Sequence, residues 1–175
     1  MKVYIINKPI NDNIYNSIAG QTGISIVSDI EIVEGIFDTE IPKRTRIAMG
    51  KEKCRKLAIE QGVDFVIIHD DDLLNLNNDN FIKAKRFLET NIDFGAVALS
   101  RNKINRTDPI VFDNITAPHI CSGVIMIKKD ALDKLSFGNS PDKPTCVSVS
   151  LSLRFNGLKY GYLDRMERIK HIKSN

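Results

Sequence analysis

Tryptophan is absent from the 175 residues, and cysteine is scarce. The three cysteines, Cys54, Cys121 and Cys146, are far apart, odd in number and without a C-x-x-C pair. That excludes a disulfide framework and a thiolate zinc site, and leaves reduced thiols packed as small hydrophobes. No apolar run approaches the roughly 18 residues that span a bilayer. The apolar stretch after Met1 is also too short for a secretory signal, since Asn7 and Pro9 follow at once. A cytoplasmic protein without a membrane span is expected. Excess charge is missing too: 25 Lys and Arg against 22 Asp and Glu leave +3. So small a surplus does not drive unspecific nucleic-acid binding over the whole surface, and it excludes a histone-like or tail-like chain. Repeats, low-complexity tracts and linkers are likewise lacking. Residues 1–175 are therefore expected to form one domain, with 42% hydrophobic residues to fill its core. What is abundant is Ile, Asn and Lys, together 56 of 175. A+T-rich coding favours all three, which suggests a bacterium of that kind, or its phage, as the source.

Hydrophobic patterning predicts α/β alternation. Short β-branched runs at 3–6, 24–27 and 30–37 read as strands, with a short helix at 11–19 between the first two. Residues 45–61 carry helix formers, with Ile47, Cys54, Leu57 and Ala58 near helical spacing, and Gly62 is a suitable residue to end them. Residues 63–69 then form a nearly continuous apolar strand of the kind buried on both faces. It stops at three carboxylates, Asp70, Asp71 and Asp72. The pattern repeats as a helix at 79–89 and a strand at 94–99, a polar loop at 101–118, and a strand at 122–128. A helical turn at 130–135, a loop at 136–145, a helix at 148–156 and a strand at 159–163 complete it, before a basic tail. Alternation of this kind places a mostly parallel sheet between helices.

Three consecutive carboxylates at the end of a buried strand repel one another unless a cation offsets them. Open α/β sheets bind ligands outside the carboxyl ends of their strands. Oxygen donors there suit Mn²⁺ or Mg²⁺, which commonly bind substrate phosphates. The alternative is a solvated acidic turn that caps the next helix. Upstream, Lys51, Lys53, Arg55 and Lys56 read as an ordinary solvated helix face, and His69 as a structural residue.

The order of these elements resembles the nucleotide-sugar-dependent glycosyltransferases of the GT-A fold, particularly their broad family 2 group. The residues carrying the resemblance are RTRIAMGKEKCRKLAIEQGVD, FVIIHDDDLL, HICSGVIMIKKDAL and VSLSLRFNGLKYGY. The resemblance implies a single-domain, Rossmann-like mixed sheet flanked by helices. It also implies a UDP- or GDP-sugar donor and a D-x-D motif in which Asp70 and Asp72 hold Mn²⁺ or Mg²⁺, Asp72 being the better placed. Arg44 or Arg46 would pair with the donor phosphates, where a bidentate guanidinium suits. Asp70 and Asp71 would also lie against the donor. Ser122 and Gly123 would line the sugar pocket, unless Gly123 merely starts a strand, and His171 would join the metal.

One departure matters. Inverting members carry an acidic pair just before the Leu-x-x-Arg helix, and one carboxylate there is the general base. Aligned on Leu151 and Arg154, those positions hold Val147 and Ser148. Three explanations follow: Asp142 in the preceding loop is the base, the enzyme is retaining and its leaving phosphate is the base, or catalysis has been lost. The last would make the chain a nucleotide-sugar-binding relic. A metal-dependent phosphoryl- or nucleotidyl-transfer enzyme is the other rival, since a strand ending in DDD suits that chemistry as well. Acceptors left open are a glycan, a protein or modified nucleic acid.

Overall fold

Helix α1 (Lys43–Glu60) ends in a Schellman motif. Gly62 adopts φ +63°, the Val63 N–H donates to the Ala58 carbonyl at 3.1 Å, and the Gly62 N–H donates to that of Ile59 at 3.0 Å. The chain thereby reverses into strand β3 (Phe65–Asp70). The last long helix ends the same way: at Gly157, φ +70°, the Leu158 N–H donates to the Leu153 carbonyl at 2.9 Å. A glycine free of the left-handed penalty stands at each of these two turns from helix into strand.

The computed structural model describes residues 1–7, 29–70, 73–74, 78–99, 111–112, 120, 123–138, 142–162 and 170–171. Besides α1 and β3 these comprise β1 (Lys2–Asn7), β2 (Asp29–Glu34), β4 (Leu73–Leu74), α2 (Asn78–Thr90), β5 (Phe94–Ala98), β6 (Val111–Phe112) and β7 (Val124–Lys128). Then come α3 (Lys129–Leu132), α4 (Thr145–Phe155), β8 (Lys159–Tyr162) and β9 (Lys170–His171). The expected helix at 11–19 and strand at 24–27, and nearly all of the 101–118 loop, lie outside the described residues. Helix α4 starts three residues earlier than the pattern predicts, with Pro144 before its first turn.

The main sheet runs β2-β1-β3-β7-β5-β8-β6. β1 pairs in parallel with β2 and β3, and β5 with β8, while β7 runs antiparallel between β3 and β5. Alternate residues of each strand serve opposite faces, as the pleat requires. Tyr4, Val66, Ile68, Ala96, Ile125 and Ile127 form one core with Cys54 and Ala58 of α1, Ala131 of α3 and Leu153 of α4. Val3, Ile67, Val97, Val124 and Met126 form the other with Phe81, Ala84 and Leu88 of α2. The result is three layers, helix on sheet on helix, as the alternation implied.

Because α1 is the crossover from β2 to β3, it runs opposite to the strands. Its C-terminal Gln61 lies by the start of β1, where its Oε1 accepts from the Tyr4 hydroxyl at 2.8 Å and from Lys2 Nζ at 2.6 Å. Its N-terminus therefore lies toward the ends of β1 and β3.

Candidate donor-binding site

Three elements meet at that edge. Ile6 of β1 is in register with Asp70 of β3. α1 approaches Ile6 so closely at Gly50 that an added Cβ would stand 3.1 Å from Ile6 Cγ2. The next residue, Lys51, is thereby level with Asp70, and its ammonium contacts both carboxylate oxygens, 2.9 Å from Oδ1 and 3.1 Å from Oδ2. The Lys51 side chain is 1% exposed and that of Asp70 29%. This corrects the solvated-face reading for Lys51, though Lys53 and Lys56 are exposed as expected. Arg55 turns inward in part, donating to Glu52 and to the Leu132 carbonyl. The sequence signal for Lys51 was its phase: it sits three residues after Ala48 and three before Cys54, on the stripe that α1 buries, whereas Ile47, expected on the apolar face, is exposed.

β7 supplies the other side. The Asp70 N–H donates to the Gly123 carbonyl at 2.7 Å, and the Leu99 N–H donates to that of Val124 at 2.8 Å. Gly123 is buried, with its carbonyl on the Asp70 backbone. His69, fully buried, directs Nδ1 at the Asp70 carbonyl oxygen. A carbonyl only accepts, so Nδ1 carries the proton. Its structural reading holds.

Past Lys51, α1 extends eight residues toward its N-terminus, about 12 Å at 1.5 Å per residue. Its first turns thus overhang the sheet edge. No acidic residue and no side-chain cap serves that end, so the positive end of the helix dipole is not offset within its first turn. Arg44 there is exposed and Arg46 half-buried. Thr45 Oγ1 and Arg46 Nε are buried without a hydrogen-bond partner among the described residues.

Asp71, Asp72 and Ser122 lie outside the described residues. The chain reappears at β4, whose Leu73 pairs antiparallel with His171 and Leu74 with Lys170. The backbone of His171 is thus brought opposite the residue that follows Asp72, a ladder the sequence reading did not foresee. Carboxylates joined by an imidazole form a donor set that fits a hard or borderline divalent ion such as Mn²⁺. Among the described residues no group of three such side chains is assembled. Asp142 is exposed, three residues ahead of α4. Ser150 of that helix accepts from the Ile120 N–H at 3.0 Å through its Oγ, which donates to the Cys146 carbonyl at 2.8 Å. The structure therefore joins Asp70, Lys51 and Gly123 directly and brings His171 to β4 by its backbone, while Asp142 stands exposed ahead of α4.

The fold that holds this edge is the GT-A type of α/β fold, a mixed sheet between helices that glycosyltransferases share. Among solved structures, A197 from STIV matches with a TM-score of 0.68 at 11% identity, over 99% of this chain and 86% of that one. A mutant Drosophila beta-1,4-galactosyltransferase 7, crystallised with manganese, UDP-Gal and xylobiose, matches with 0.59 at 14% identity, over 99% of this chain and 71% of that one. A glycosyltransferase involved in glycosylation of the major capsid of PBCV-1 matches with 0.51 at 14%, over 75% of this chain and 61% of that one. No family model and no curated protein sequence matches. Among the described residues no helix is long and apolar enough to cross a membrane.

Proposed function

We propose that this single domain is a metal-dependent glycosyltransferase that moves a sugar from a UDP- or GDP-sugar to an acceptor hydroxyl. The observation that carries the reading is the sheet edge itself: an acidic tip after β3, flanked by Gly123 and by the overhanging N-terminus of α1, on a fold shared with a galactosyltransferase crystallised with UDP-Gal. Asp72 and His171 would hold Mn²⁺ or Mg²⁺. The bound ion would supply positive charge against the departing diphosphate.

The remaining work falls to this chain's own residues. Arg46, with Arg44 beside it, binds the diphosphate, and the buried Thr45 hydroxyl and Arg46 Nε gain the partners they lack. Backbone at Ser122 and Gly123 lets the sugar lie close to β7. Asp142 accepts the proton of the acceptor hydroxyl as its oxygen bonds to the anomeric carbon, and the bond from that carbon to the diphosphate oxygen breaks. A second reading, donor binding without turnover, draws on the first turn of α4, which carries no acidic residue.

The test is incubation with nucleotide sugars, Mn²⁺ and a panel of glycan, peptide and DNA acceptors. Free nucleoside diphosphate together with a glycosylated product is expected, and Asp72→Asn should abolish Mn²⁺-dependent donor binding while leaving the fold intact. Donor binding undiminished in EDTA, or inorganic phosphate as the released product, would refute the reading.

A further inference from the structure

Lys51 is a fully buried ammonium, and burying an unpaired charge is costly enough that the residue commits its partner. That partner is Asp70, the first carboxylate of the acidic tip, engaged through both oxygens. A divalent ion ligated by those oxygens would have to displace the ammonium or share them with it at a separation of a few ångströms, where two like charges repel strongly outside bulk water. The ammonium cannot withdraw easily. Lys51 lies with Gly50 and Cys54 on the buried side of α1, a side that meets β1 at Ile6.

We infer that Lys51 is a resident cation of the acidic tip: a positioning residue that neutralises Asp70 and holds it on Gly123, leaving metal ligation to the carboxylates beyond β3. The inference rests on the transferase reading only for the presence of a metal. Asp70 acts here as a brace. Its N–H is fixed to the Gly123 carbonyl and its carboxylate to α1, so the pair locks β7, β3 and α1 together at the level where the donor would lie. Of the two acids that the D-x-D pattern offers a metal, the first is thus bound to an internal ammonium.

Mn²⁺ binding to the protein without nucleotide, counted as free ion by electron paramagnetic resonance, tests this apart from any turnover. Lys51→Met takes the ammonium off Asp70, whose side chain is already partly exposed. It should bind Mn²⁺ at least tenfold tighter than wild type. Lys51→Arg keeps the charge and should stay within threefold of wild type. Lys51→Met with Asp70→Asn removes a net-neutral pair, buries no lone charge, and should also stay within threefold; thermal melting confirms that each variant is folded. If Lys51→Met binds Mn²⁺ no better than wild type, or not at all, the inference is overturned. It is equally overturned if the double variant loses tenfold or more, for Asp70 would then be a ligand in the wild type. A wild type that fails to transfer sugar refutes the proposed function and leaves these affinities as they are.

Discussion

Arg46→Met separates a residue kept for binding from one kept for folding. In the free protein Arg46 Nε is buried without a hydrogen-bond partner among the described residues. An unsatisfied buried donor costs about 1–3 kcal/mol, which the free protein already bears. Methionine keeps an apolar stem of similar reach and removes that donor. The substitution should therefore leave the melting temperature unchanged or raise it. Donor binding should move the opposite way. A charge-assisted hydrogen bond contributes about 1.5–3 kcal/mol, and at 1.4 kcal/mol per factor of ten its loss weakens the affinity roughly 10- to 150-fold. Arg44 lies two residues earlier and is exposed, so Arg44→Met, whose guanidinium is screened by water, should weaken binding by less than about threefold. Calorimetric titration of UDP- and GDP-sugars with Mn²⁺, beside thermal melts of the free proteins, reads both quantities. A lower melting temperature with unchanged affinity would make Arg46 a structural residue and refute the reasoning.

The remaining expectations concern the base and the thiols. Asp142→Asn should lower kcat by about 10² or more with donor affinity intact, as general-base removal does; a variant as active as wild type would shift the choice to retention or binding alone, and comparing the anomeric linkage of product and donor decides between those. Cys54 is fully buried, and burial pushes its thiol up from 9.0 to about 12, the nearby Lys51 only partly offsetting this. Native protein treated with iodoacetamide at pH 8 should be modified at the half-buried Cys146 and spared at Cys54, as mass spectrometry would show; equal rates would contradict the packing. Since the folded state holds this proton more tightly than the unfolded chain, the stability tied to Cys54 is fully present below about pH 9 and is lost as the pH rises toward 12. Cys54→Ala should flatten that part of the alkaline denaturation profile.

The fold was legible wherever burial imposes a period. Residues 63–69 read as a strand because Val66, Ile67, Ile68 and His69 are all buried from both faces, and Gly62 and Gly157 marked helix ends because a left-handed residue is needed there. The direction of β7 was not legible. A five-residue apolar run such as Val124–Lys128 reads alike in parallel and antiparallel pairing, and its direction follows from which strands it enters between. Lys51 was misread because residue type outweighed phase. A lysine is nearly always solvated, yet its place on the α1 stripe, facing Asp70 nineteen residues away, was the stronger cue. The β4–β9 ladder left no trace, since two residues carry no periodicity and their pairing depends on tertiary placement.

That ladder carries a consequence for the order of assembly. Leu73 and His171 are separated by more than half of the chain, and among the described residues two residue pairs join their strands. The closure entropy of so large a loop must be met before so small a ladder can form. β4 and β9 should then be the last segments to dock in folding and the first to open in the native state, on a time scale set by local opening rather than by global unfolding. A ligand gripped from both sides of the ladder would act as a staple between distant parts of the chain. It would slow amide exchange at residues 73–74 and 170–171 far more than in β3 or β7, whose protection is already that of the core.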